Sequence, residues 1–96
     1  MAPEIEGGRK AAEYLLQNNI HISMGHSNAT FEEVIDFPNG KIPHFTHLYN
    51  AMSSLNHREV GMLGAGLIMK NSKLELICDM FHINKEAIEI AIKNRG

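Results

Sequence analysis

The sequence predicts an α/β fold in which short parallel strands alternate with helices. Three observations carry that expectation. Apolar, β-branched runs of strand length recur at residues 20–24, 42–48 and 73–81. Segments of helical spacing precede, separate and follow them, an alternation that favours parallel strands joined by crossovers. Each run ends on or just before a histidine, His26, His47 or His82, and the C-terminal ends of parallel strands are where such folds place their sites.

Residues 3–18 open with Pro-Glu, a good first-turn pair, and place Ile5, Ala12, Leu15 and Leu16 near one face of an amphipathic helix. Gly7 and Gly8 weaken its first turns, and Asn18-Asn19 stops it. Residues 20–24 form the first strand, with His21 packed under a helix. Thr30 and Glu33 have capping-box spacing, so a helix runs over residues 31–37 until Pro38-Asn39-Gly40 breaks it. The second strand covers residues 42–48, with Pro43 tolerable only near its start.

Residues 49–60 are polar and irregular, and a loop of that length in a compact domain usually has a function. Three glycines make the helix at residues 61–70 short and weak. The third strand, residues 73–81, holds Cys78, which reads as a small buried hydrophobe rather than a reactive thiol. A helix over residues 84–93 is capped by Asn84 and carries Ile88 and Ile92 on its apolar stripe.

Ninety-six residues suffice for one small domain with a modest core. Hydrophobic residues make up 44% and charged residues 21%, and the net charge is −2 with nine scattered Lys and Arg. These values argue against nucleic acid as a partner and against disorder. No apolar run reaches a membrane span and the N-terminus lacks signal-peptide character, so the expected location is cytoplasmic.

Neighbouring strands lie about 4.8 Å apart, so histidines at adjacent strand ends can reach one ion at about 2.0 to 2.1 Å. The alternative is a set of polar residues at strand mouths, hydrogen-bonded to backbone. Two histidines also fall short of the three protein ligands a catalytic zinc usually takes. A second constellation, Asn50-Ala51 with His57-Arg58, combines backbone N–H groups and a guanidinium that suit a phosphate. The competing reading pairs Arg58 with Glu59 in a solvated loop.

Four ordered phrases, G-H-S-N-A-T, H-F-T-H-L-Y-N-A-M, N-H-R-E-V-G and C-D-M-F-H-I, closely resemble the N-acetylglucosamine-6-phosphate deacetylases of the amidohydrolase superfamily. The opening A-P-E also resembles a phrase that ends a strand in that family. The resemblance covers essentially the whole chain. It implies part of a metal-bearing (β/α)₈ TIM-type barrel, about three parallel strands with their helices. By resemblance His26 and His47 are ligands of a divalent metal, zinc first, with iron, manganese or cobalt as alternatives. Asn50 and Ala51 would touch the sugar phosphate, His82 the substrate near the reacting amide, and His57 and Arg58 the phosphate across a homodimer. Two departures stand out: Asn56 where a histidine is frequent, and Val60 where proline usually follows R-E, which would loosen the loop that aims Arg58.

The family's glutamate ligand belongs to a strand before A-P-E, and its catalytic aspartate to a T-D-A phrase on the strand that would follow Gly96. Neither phrase occurs in this chain, and Asp79 reads as the end of the third strand rather than as the missing base. A (β/α)₈ barrel takes about 250 residues. The expectation is therefore a single partial domain over residues 1–96, a central piece of a barrel that is inactive alone, with Met1 before A-P-E pointing to an excised segment or a truncated frame. The rivals are a non-enzymatic module that binds a metal or a sugar phosphate, and a structural fragment that self-associates through its open strand edges.

Overall fold

The computed structural model describes residues 1–36 and 44–95. The element order is α1 (Gly8–Gln17), β1 (Ser23–Met24), α2 (Phe31–Ile35), β2 (His44–Phe45), α3 (Gly61–Ile68), β3 (Lys73–Leu74) and α4 (Lys85–Arg95). The three strands form one sheet in the order β1-β2-β3, and both pairings are parallel. Ser23, His44 and Lys73 share one register row, and Met24, Phe45 and Leu74 the next. The α/β class with three parallel strands and flanking helices is thus what the sequence predicts. The expected break at Pro38-Asn39-Gly40 and the strand start at Ile42 and Pro43 lie outside the described residues.

The strands are shorter than their apolar runs because pairing stops where the chain turns. Beyond the named strands the ladder continues through single bonds, from His44 N–H to the Ile22 carbonyl, Thr46 N–H to that of Met24, Glu75 N–H to that of Phe45 and Leu48 N–H to that of Glu75. Past β3 the chain is irregular, which changes the reading of Cys78: the thiol is exposed, since no strand carries it into the core. His21 is also exposed rather than packed under a helix, and its ring stacks on His44 with centroids 5.9 Å apart.

The first helix starts at Gly8, not at Pro3. Gly7 has φ 78°, a left-handed conformation that a right-handed helix cannot pass through. Upstream of it the chain runs beside β1 instead: the Met1 amino group donates to the Ser23 carbonyl, and Gly25 N–H donates to that of Met1. Ile5, expected on the buried face, is consequently exposed, while Ala12 is fully buried.

Thr30 and Glu33 make both halves of the expected capping box, Glu33 N–H to Thr30 Oγ1 at 3.2 Å and Thr30 N–H to Glu33 Oε1 at 3.0 Å. The glycine-rich α3 is the most buried helix, with Gly61, Met62, Gly64, Ala65, Gly66 and Leu67 all inside. Its tight fit against Phe45, Leu48 and Leu74 offsets poor helix propensity, since a Cβ on Gly66 would stand 2.7 Å from Leu48 Cδ1. Asn84 caps α4 through Ala87 N–H at 2.9 Å, as expected. The stripe differs: Ala91 is the buried residue and Ile92 is exposed. Arg95 docks α4 by donating to the carbonyls of Gly66, Lys70 and Ser72 and to the Ser72 hydroxyl. The bond to Gly66 serves a carbonyl in the last turn of α3, and the others hold the turn that follows the helix.

Candidate metal and phosphate site

The site is built by two tight turns that follow β1 and β2. Gly25 leaves β1 so close to its neighbour strand that an added Cβ would lie 2.1 Å from Thr46 Cγ2. The next residues of the two turns, His26 and His47, both adopt left-handed backbone conformations, φ 49° and φ 30°. Such strain is uncommon for non-glycine residues and persists only where surrounding contacts hold it. Here it brings the two Nε2 atoms to 3.0 Å, with the rings edge to face at 4.7 Å between centroids.

Donors sharing one ion at about 2.0 to 2.1 Å stand roughly 2.9 to 3.4 Å apart for octahedral to tetrahedral angles. The His26–His47 spacing lies in that window, so the pair fits two ligand positions. His47 Nδ1 lies 2.9 Å from the Asn50 carbonyl oxygen. As donor to that carbonyl it keeps its proton, leaving the Nε2 lone pair free, the arrangement that typically orients a metal-ligating imidazole.

The two turns are stitched together. Ser27 and Met52 form a parallel bridge, with Ser27 N–H on the Ala51 carbonyl at 3.0 Å and Ser53 N–H on that of Ser27 at 2.9 Å. Ala51 is exposed at φ 51° beside this bridge. Tyr49, at φ 83°, anchors the second turn by donating its hydroxyl to the Ala87 carbonyl of α4, and burial pushes its phenol pKa up. The Nδ2 of Asn50 is buried, and no acceptor among the described residues meets it.

Comparison with known proteins places the chain in a family. No protein-family model matches the chain. It is 40% identical over 90 residues to an N-acetylgalactosamine-6-phosphate deacetylase of Escherichia coli, an alignment covering 94% of this chain and 24% of that protein. It is 36% identical over 96 residues to the N-acetylglucosamine-6-phosphate deacetylase of Lysinibacillus sphaericus, covering 100% and 25%. Among solved structures, the N-acetylglucosamine-6-phosphate deacetylase of Thermotoga maritima superposes with a TM-score of 0.90 at 41% identity, over 99% of this chain and 26% of that one. The chain belongs to the N-acetylglucosamine-6-phosphate deacetylase family. It spans about a quarter of the length of the relatives it matches.

The other residues that carry the family resemblance are placed as follows. His57 and Arg58 lie exposed on the loop that leads into α3. The expected alternative partner of Arg58, Glu59, is engaged elsewhere: its Oε2 accepts from Phe31 N–H at 2.8 Å and from Gly61 N–H at 3.0 Å. His82 is exposed, with Nδ1 at 2.7 Å from Asp79 Oδ2. Asp79 also accepts from the backbone N–H groups of Phe81 and His82, so it ties a turn beyond β3 rather than ending a strand.

Three carboxylates, Glu4, Glu59 and Asp79, make backbone contacts that differ from those their sequence positions suggest. Glu4 grips the turn that bears His26, accepting from Ser27 Oγ at 2.7 Å and Asn28 N–H at 2.8 Å. The A-P-E phrase was the available signal for Glu4, but nothing local reveals partners more than twenty residues away. Burial alone would raise the Glu4 pKa; the Ser27 hydroxyl and the Asn28 N–H outweigh it and hold the carboxyl low. The N–H groups of Phe31 and Gly61 lower that of Glu59, and those of His82 and Phe81, with the His82 ring, lower that of Asp79 to about 2.

All three carboxylates are held below their ordinary values of 4.5 for Glu and 3.8 for Asp. Their stabilising contribution is complete above those values and is lost as pH falls through the depressed folded ones. Urea midpoints measured from pH 6 downward should therefore begin to fall near pH 4.5 and continue down towards about 2. A midpoint that stays level across this window would contradict these assignments.

Proposed function

We propose that this chain carries part of the active site of a metal-dependent deacetylase that removes the acetyl group from the amide nitrogen of N-acetylglucosamine-6-phosphate. The observation that supports it is the His26–His47 pair, with Nε2 atoms 3.0 Å apart and His47 Nδ1 tied to the Asn50 carbonyl. In this reading both Nε2 atoms hold one divalent metal. Zinc suits the imidazole donors best, with iron, manganese or cobalt as alternatives. When bound there, the metal would polarise the substrate carbonyl and acidify a water.

The remaining roles follow from what each group can offer. Asn50 has a buried amide donor that no acceptor among the described residues meets, and Ala51 lies beside it on the same turn, so both suit the sugar phosphate. Exposed Arg58, with Glu59 occupied by backbone donors, is available for bidentate contact to phosphate, and His57 lies next to it. His82 would meet the substrate near the amide. The parallel strands and the position of the pair at their C-terminal ends suit part of a (β/α)₈ barrel, with residues 1–96 as one partial domain. A homodimer and a cytoplasmic location belong to the same reading. No helix among the described residues is long and apolar enough to cross a membrane.

Among the described residues no group of three His, Cys, Asp or Glu side chains converges on one point. A two-donor site without an acid/base carboxylate favours binding over turnover, so we infer that this chain alone does not hydrolyse its substrate. The same observation favours the second reading, a module that binds metal or sugar phosphate without catalysis. Calorimetric titration with Zn²⁺ tests the metal site. His26→Ala and His47→Ala should each weaken binding by more than about 100-fold, beyond what disturbing a supporting hydrogen bond costs. Unchanged affinity in both variants would remove the pair from the site. Titration with N-acetylglucosamine-6-phosphate and its galactosamine counterpart, and an acetate-release assay with zinc present, separate the readings. Turnover near that of a full-length relative would overturn the inactivity inference.

A further inference from the structure

We propose that Asp79 is a positioning residue that fixes the tautomer of His82, keeping the ring proton on Nδ1 and leaving Nε2 as the atom that gains or loses a proton. The geometry is specific. Asp79 Oδ1 accepts from Phe81 N–H at 2.8 Å and His82 N–H at 2.9 Å, which locks the carboxylate plane to the backbone of the turn. Its other oxygen, Oδ2, is then aimed at His82 Nδ1, 2.7 Å away. An ionised carboxylate only accepts, so Nδ1 has to donate. Asp79 is held ionised far below neutral pH, chiefly by the His82 and Phe81 N–H groups and then by the ring itself.

The turn is built for this contact. Met80 sits at φ 64°, a left-handed conformation that reverses the chain between Asp79 and His82. The His82 side chain remains 54% exposed, so its far side is open to a ligand. A solvated histidine favours the opposite tautomer, with the proton on Nε2, so the arrangement imposes a preference instead of following one. Its consequence for chemistry is that a neutral His82 offers a lone pair at Nε2, whereas the protonated ring offers a donor there. That consequence for a substrate amide rests on the deacetylase reading; the tautomer itself does not.

Asparagine at position 79 provides a discriminating test. Its carbonyl oxygen would keep the two backbone N–H bonds, which places the NH₂ group against Nδ1. Nδ1 must then accept, and the ring proton moves to Nε2. Long-range ¹H–¹⁵N correlation spectra of the histidine rings, taken at a pH where they are neutral, read this directly. Wild type is expected to show His82 Nδ1 in the protonated range and Nε2 in the unprotonated range. Asp79→Asn should exchange the two positions, leaving the His26 and His47 signals in place as the control for folding. Asp79→Ala, which removes the partner, should return His82 towards the Nε2–H form. An Nε2–H tautomer in wild type, or an Nδ1–H tautomer kept in Asp79→Asn or Asp79→Ala, would overturn the proposal. Adding N-acetylglucosamine-6-phosphate to the wild-type sample tests the substrate reading separately. A silent His82 there would count against that reading, while the tautomer pattern would still stand as support for the Asp79 role.

Discussion

Gly25→Ala is expected to destabilise the chain by about 1 to 3 kcal/mol, the range for overpacking a well-filled site. The new methyl would lie 2.1 Å from Thr46 Cγ2, closer than two non-bonded carbon atoms tolerate. Gly25 does not have a left-handed φ, so the demand for glycine here comes from space and not from backbone freedom. The obstacle is a methyl on a β-branched side chain with little rotational freedom, and it sits one residue before His47. Relief is therefore specific: Thr46→Ser deletes that methyl and should restore most of the loss in the double variant. Urea unfolding of the four proteins in a double-mutant cycle measures it, with a melting shift of roughly 4 to 8 °C per kcal/mol as a second readout. Gly25→Ala matching wild type, or no recovery with Thr46→Ser, would show that the two turns are not packed in this way. Because the clash separates the turns that bear His26 and His47, the proposed metal site predicts that zinc affinity falls together with stability.

The second large effect is expected at Phe45. Its side chain is fully buried on the central strand β2, between two parallel neighbours, and α3 lies against it through Gly66, where a Cβ would be 3.5 Å from the ring. Phe45→Ala should cost about 3 to 5 kcal/mol, through lost transfer energy and the cavity left behind. Native domains have a margin of only about 5 to 15 kcal/mol, so much of the population would unfold at room temperature under mild denaturant. Phe45→Leu preserves an apolar filling and should cost less than half as much. Equilibrium urea unfolding decides it; a Phe45→Ala variant within about 1 kcal/mol of wild type would contradict the placement of this ring at the centre of the core.

Local chemistry accounts for what could be read from the chain. The Thr30–Glu33 capping box and the Asn84 cap depend on residues three apart, and both form as the spacing predicts. The alternation of apolar runs with helical segments gave three parallel strands, because parallel pairing requires long crossovers whatever the side chains are. Where tertiary contacts decide, local pattern failed. Ile5 suits a helical face, yet the Gly7 conformation and the pairing of Met1 with β1 take residues before Gly8 out of the helix. Cys78 sits in an apolar run, yet the chain leaves the sheet after Leu74 and exposes it.

By itself the sequence determined the class of fold, the family through its four ordered phrases, and the two histidines at neighbouring strand ends. Spacing along the chain could bring His26 and His47 to adjacent strands, but it could not say where their rings point. That was decided by the tertiary structure: a glycine without room for a methyl, two strained turns, and the Asn50 carbonyl holding one ring so that the Nε2 atoms meet at 3.0 Å. The supporting carboxylates Glu4, Glu59 and Asp79 divide the same way. Asp79 binds within three residues and Glu59 binds Gly61 two residues on, whereas the bonds from Glu4 to Asn28 and from Glu59 to Phe31 span more than twenty residues, and only the folded chain brings such partners within hydrogen-bonding reach.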